Sequence, residues 1–442
     1  MALLFLSLLF LLFSSISQAS VPPANQFKFV NEPDFGDYVV EYDASYHVLS
    51  VFNSPFQLAF YNTTPNAFTL ALRMGLVRSE SLLRWVWEAN RGNPVRQNAT
   101  LTFGSDGNLV LADADGRVAW QTGTANKGVV KFELLPNGNM VLLDSNGKFV
   151  WQSFDYPTDT LLVGQSLRAG AASKLVSRAS ERDNSNGPYS LELEPKRLAM
   201  YYKSKNSPKP LLYFSSSELF TISKGNLENL TFSCEEMDNG FSYYLLFDYT
   251  VKNPSSTGNR YLARARYNGT LTFLRLGIDG NIRFYTYNDN VDIGAWEVTY
   301  ALFDRDSTES ECQLPGRCGE FGLCEDNQCV ACPKPNGLVG WSKDCKPMAV
   351  TSCKVNDFYY YKLQGVDHFM SKFTAGDGPV KENDCGTKCT MDCKCLGYFY
   401  HQDTSSAEMY VLVDNKMNVT KLVLFLFGVE MYVMVDNKMS VT

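Results

Sequence analysis

Twelve cysteines, three histidines and a scatter of carboxylates are the residues with which this 442-residue chain could do covalent or acid–base chemistry. Eleven of the cysteines follow residue 311. Cys312, Cys318, Cys324, Cys329 and Cys332 are separated by five, five, four and two residues, and Cys345 closes the group. Cys329 and Cys332 form a CxxC, the spacing of a zinc half-site or a redox pair. No histidine lies nearby, and the glycine-rich loops between these thiols are too short to bury a core. Structural disulfides therefore hold the segment, and no metal is expected. A second group comprises Cys353, Cys385, Cys389, Cys393 and Cys395, while Cys234 stands alone. Five is odd, so one thiol of this group has no partner within it. The i, i+4 spacing of Cys385, Cys389 and Cys393 places them on one face of a short helix pinned to a small sheet.

Catalysis has little to work with. His47, His368 and His401 are scattered, and no GxSxG, HExxH or glycine-rich phosphate loop occurs. The carboxylate pairs Asp113/Asp115 and Asp155/Asp159 sit in turn-like sequence, where Asx-type capping is their expected work. The chain reads as a non-enzyme without a cofactor.

The clearest pattern in the chain is a repeated frame. LTFGSDGNLVLADADGRVAWQ returns 31 residues later as FELLPNGNMVLLDSNGKFVWQ, and a blurred third copy places Trp87 upstream of Trp120 and Trp151. A fixed period announces a repeat architecture. Asp106-Gly107, Asn137-Gly138, Asp115-Gly116 and Asn146-Gly147 are hairpin-type dipeptides bounding short β-rich runs. Within those runs Asp106, Asn108 and Val110 share one strand face, as do Asn137, Asn139 and Val141, because side chains alternate along a strand. Three β-units, each ending in tryptophan, predict a threefold all-β body with the indoles packed centrally.

Composition agrees with that class. Hydrophobic residues make up 45% of the chain, and 24 Tyr and 29 Phe suit β-structure. The net charge of −7 comes without a basic patch, which argues against a nucleic-acid partner. Residues 1–19 have the layout of a secretory signal peptide, with an apolar run over Leu3–Phe13 and small residues up to Ala19. The run is too short to span a bilayer, as is the apolar stretch Leu422–Gly428. Sequons at Asn62, Asn98, Asn229, Asn268 and Asn418 fit an extracellular glycoprotein. The 22-residue tandem EMYVLVDNKMNVT…EMYVMVDNKMSVT closes the chain.

Several strings resemble the plant bulb-type (G-type) lectin and S-locus glycoprotein family, above all its epidermis-specific secreted glycoproteins. They are VWEANRGNPV at 86–95, DGNLVL at 106–111, WQSFDYPTDTLL at 151–162 and CQLPGRCGEFGLC at 312–324. CGTKCTMDCKCLGYFY at 385–400 is similar to a PAN/apple module. The resemblance implies a bulb-lectin β-prism over 27–160 and a second lectin-like β-domain over 161–310. An EGF-like segment over 311–346 and an incomplete PAN/apple-like domain over 353–406 would follow, then an aberrant duplicated tail over 407–442. It also implies an extracellular, cell-wall location, glycans as ligands, a protein partner for the PAN-like module and a homodimer as one route to avidity.

Mannose-binding members carry QxDxNxVxY on one strand. Here the first copy reads Gly104, Asp106, Asn108, Val110, Ala112, and the second Leu135, Asn137, Asn139, Val141, Leu143. Gln and Tyr are missing from both. A third echo places Asp279 and Asn281 in frame with Arg283 at the Val position. Losing two hydrogen bonds of about 1 kcal/mol each weakens a shallow site by more than tenfold. Two expectations therefore stand side by side: a weak mannose-type lectin working through Asp106 and Asn108, and a non-lectin scaffold in which those residues only shape a turn.

Overall fold

The computed structural model describes residues 20–32, 41–75, 83–204, 209–222, 225–252, 255–288, 290–291, 295–319, 321–334, 337–343, 345, 358–369, 372–373, 380–392, 395, 397–402, 407–412, 419–421 and 429–436. The leader at 1–19, Cys353, Cys393 and the sequon at Asn418 lie outside them. Contacts divide the chain into two compact units, one reaching Pro157 and the other beginning at Thr158.

The first unit is built from three antiparallel sheets. One orders Phe27–Val30, Thr100–Phe103, Leu109–Ala112 and Val118–Gln121; a second orders Phe149–Gln152, Met140–Asp144 and Val129–Leu134; the third runs Ser45–Asn53, Phe56–Thr64, Ala67–Met74, Arg84–Glu88. The repeats fold alike because they share register: Leu111 faces Trp120, Leu142 faces Trp151 and Leu72 faces Trp87. The expected central packing of the indoles is present. Trp87, Trp120 and Trp151 meet edge to face at centroid separations of 5.8, 6.4 and 5.9 Å, an arrangement favoured by the ring quadrupole. Trp87 and Trp151 are buried and Trp120 half-buried. Gly107 is required at its turn, since its φ is +78° and an added Cβ would stand 2.7 Å from the Val129 Cβ.

The second unit begins with three four-stranded antiparallel sheets. Their inner faces meet in one core that includes Leu161, Leu175, Met200, Phe232, Phe247 and Phe284. A second β-domain is thus present after the first, again with three sheets around one core.

The cysteine-rich part follows. Cys312–Cys324, Cys318–Cys329 and Cys332–Cys345 are disulfides, as the first group of six requires. In the second group Cys389 pairs with Cys395. Cys385 corrects the expectation for that group: it is a buried free thiol. Cys385 and Cys389 lie on the helix Glu382–Met391, the one α-helix among the described residues, but Cys389 bonds beyond the helix end and leaves Cys385 without a sulfur partner. The helix packs as expected, with Cys385, Cys389, Tyr398 and Tyr400 in one cluster. The adjoining sheet orders Phe358–Gln364, Val429–Asp436, Gly397–Gln402 and Ala407–Leu412, so it continues past residue 406 and draws two strands from the duplicated tail.

Candidate carbohydrate site

Each candidate strand begins at a tight turn whose acidic or amide side chain accepts a hydrogen bond from the backbone two residues on. Asp106 Oδ1 accepts the Asn108 N–H, and Asn137 Oδ1 accepts the Asn139 N–H, both at 3.1 Å. These are Asx turns, and they fix how the strand leaves the turn. Asp106 and Asn137 remain exposed.

Asn108 and Asn139 face inward. Asn108 donates from Nδ2 to Gln121 at 2.9 Å, while its Oδ1 accepts the Thr122 hydroxyl at 3.0 Å and the Thr124 N–H at 3.1 Å. Asn139 donates to Gln152 at 2.8 Å and accepts the Ser153 hydroxyl and the Phe154 N–H, each at 3.2 Å. Both are buried. Two bonds occupy the acceptor capacity of each amide oxygen, leaving one N–H per residue for anything outside. Val110 is half-buried, whereas Val141 is wholly buried.

The third echo is closed by its own charges. Arg283 donates to both oxygens of Asp279, at 3.0 and 2.6 Å, and Asn281 clamps the backbone of Phe303 with bonds of 2.7 and 3.1 Å. A bidentate ion pair of this geometry takes the carboxylate out of competition for a sugar hydroxyl.

Gln121 and Gln152 are the site residues that sequence reasoning missed. They face Val110 and Val141 across the strand pair. The signal was the Trp-Gln that ends each repeat, visible in the sequence but read there only for its indole. Gln152 also donates to the Asp155 carboxylate, 3.1 Å to each oxygen, which draws a polar chain over the second copy. Gln121 stays exposed on the first copy.

The turns beyond these strands are capped as expected. Asp113 accepts the N–H groups of Arg96 and Ala114, both at 2.8 Å, and pairs with the Arg96 guanidinium at 3.0 Å. Burial alone would raise its carboxyl, but these donors and the Arg96 charge overcome it and hold the pKa at about 2. Asp115 accepts the Arg117 N–H at 3.0 Å.

Comparison with known proteins decides the family. The family model described as D-mannose binding lectin matches residues 84–180. The epidermis-specific secreted glycoprotein EP1 of Daucus carota is 60% identical over 360 residues, covering 78% of this chain and 92% of that protein. The chain belongs to the EP1 family of secreted glycoproteins. EP1-like glycoprotein 3 of Arabidopsis thaliana is 50% identical over 88% of both chains. The S-locus-specific glycoprotein BS29-2 of Brassica oleracea var. alboglabra is 27% identical over 74% of this chain and 78% of that one. The chain is thus a lectin-like secreted glycoprotein, as its strings at 86–95 and 151–162 led one to expect. No helix among its described residues is long and apolar enough to cross a membrane.

Proposed function

We propose that this glycoprotein of the plant cell wall holds one weak mannose-type saccharide site, on the first prism repeat. The supporting observation is the contrast between the repeats. In the first, Asp106 and Gln121 are exposed, and Val110, the cross-strand partner of Gln121, is half-buried, so a carboxylate, an amide and part of an apolar side chain are each open to solvent. In the second, Val141 is buried and Gln152 is engaged by Asp155. Asp106 accepts from a sugar hydroxyl, Gln121 takes over the polar duty that the buried Asn108 has given up, and Val110 meets the C–H face of the ring. Two polar contacts hold a monosaccharide only at millimolar strength, so useful binding comes from several copies on a multivalent wall glycan. Catalysis has no part in this reading, and the cysteine-rich segments are left for protein contacts.

A scaffold reading has its own support in Asn108 and Asn139, which serve the fold. Titration with mannose, followed by binding to a mannan surface, separates the two. Asp106→Asn is the informative variant, because it keeps the Asx turn while removing the charge. Mannan retention that falls in Asp106→Asn supports the site. Mannan binding unaffected by Asp106→Asn, or no binding in either format, leaves the scaffold.

A further inference from the structure

The second β-domain carries an open sheet face whose occupant is written in its own sequence. The sheet orders Ser166–Arg168, Asn226–Met237, Gly240–Lys252 and Ser255–Tyr267. Its inner face supplies Leu230, Phe232, Leu245 and Phe247 to the core. Alternation sends the intervening residues outward. Register then sets two rows across that outer face: Arg168, Asn229, Asp248 and Asn259 in one, and Ser166, Thr231, Leu246 and Tyr261 in the next. Tyr244 lies beside Leu246 and meets the Tyr261 ring edge to face at 5.2 Å. Tyr261 is 55% exposed, high for a tyrosine on the middle of a strand.

Asn229 and Thr231 are the two recognition residues of the Asn-Leu-Thr sequon, and both stand on this face next to Leu246. We infer that an N-linked glycan on Asn229 lies back across the outer face of this sheet and covers Leu246 and Tyr261. Two strand spacings of about 4.8 Å and two residues of about 3.4 Å put Tyr261 roughly 12 Å from Asn229, within reach of a core disaccharide carried on the asparagine side chain. The C–H faces of its pyranose rings remove the leucine and tyrosine side chains from water. Thr231, Ser233, Asp248 and Asn259 stand around them as partners for the ring hydroxyls. Asn98 and Asn268, exposed at turns, offer no comparable apolar bed. The glycan at Asn229 is then part of the domain's packing, whereas those at Asn98 and Asn268 point outward.

The inference rests on secretion of the glycosylated protein, so the test distinguishes the two. Glycopeptide mass spectrometry of the secreted chain reports each sequon separately. No glycan at any sequon overturns the secretory reading along with this one; an empty Asn229 beside occupied Asn98 and Asn268 overturns this inference alone. With Asn229 occupied, Asn229→Gln is expected to lower the Tm by about 2–4 °C. Endoglycosidase trimming of the folded wild type should reproduce that loss, and trimming of the Asn229→Gln protein should not add to it. Tyr261→Ser supplies the cycle: if the glycan packs on this ring, the double variant loses less than the sum of the single losses. Additive losses, or a Tm indifferent to the Asn229 glycan, overturn the packing. A dimer that shields Tyr261 in the unglycosylated variant and the wild type alike assigns the face to a second copy, and overturns it too.

Discussion

At the scale of single residues, the prism depends on amide clamps. Asn108, Asn139 and Asn281 occupy equivalent positions, and each ties a turn to the strand end that follows it. Replacing Asn139 by Ala strips the partner from a buried backbone N–H and should cost about 1–3 kcal/mol, read as a lower urea midpoint at unchanged slope. An unaltered midpoint would show that water replaces the amide. Trp120→Ala should cost about 3 kcal/mol, the lower end for a large aromatic in a core, because this indole is only half-buried. The indole frame was legible in the sequence, but the single strand face expected of Asp106, Asn108 and Val110 was not formed: the strand begins at Leu109, Asp106 is exposed in the turn, and Asn108 is buried. What could not be read was the division of labour along that stretch. Pattern gives a face; it does not say that Asn108 spends its oxygen on Thr122 and Thr124.

At the scale of elements, the cysteine-rich half shows what local spacing can and cannot fix. The six thiols after residue 311 close on themselves, and parity already required one unpaired thiol in the second group. Which thiol it would be depended on the helix end, where Cys389 reaches Cys395 and Cys385 stays inside. Burial pushes the Cys385 thiol up to about 11, so it should resist alkylation at pH 8 in the native protein and react once the protein is unfolded. Rapid native labelling would contradict its burial. The strand Val366–His368 carries a second testable feature. His368 is buried with its ring 4.1 Å from Phe369 and 5.5 Å from Phe399, and loss of hydration holds its pKa near 3, well below the ordinary 6.5. The unfolded chain therefore binds a proton that the folded one refuses. Stability is full above pH 6.5 and declines as pH falls toward 3, by at most about 1.4 kcal/mol per pH unit from this group. Denaturant midpoints between pH 7 and 5 should show that slope, and His368→Phe should flatten it. The duplicated tail was visible as a repeat, yet its use was not: the copies at Ala407–Leu412 and Val429–Asp436 pair with opposite edges of Gly397–Gln402. Long-range pairing of that kind leaves no mark in a local pattern.

At the scale of the whole molecule, the chain divides inside one of the family strings. WQSFDYPTDTLL reads as one motif, but the unit boundary falls inside it, between Pro157 and Thr158. Trp151 and Tyr156 finish the prism: their rings stack at 5.6 Å, and the Trp87 indole N–H donates to the Tyr156 carbonyl at 2.9 Å. Thr160, Leu161 and Leu162 pair instead with Arg275, Leu274 and Phe273 of the following β-domain. A fragment spanning 20–157 thus holds all three sheets, the indole triad and its cap, and should unfold in a single cooperative transition followed by tryptophan fluorescence. Ending the fragment at Gln152 removes the stacked tyrosine, leaves the Trp87 N–H without its carbonyl and strips Asn139 of its Ser153 and Phe154 partners. That loss should lower stability by about 1–3 kcal/mol relative to the longer fragment. Equal midpoints for the two fragments would place the end of the prism before Ser153, and a fragment to Pro157 that fails to fold would make the first unit dependent on the second.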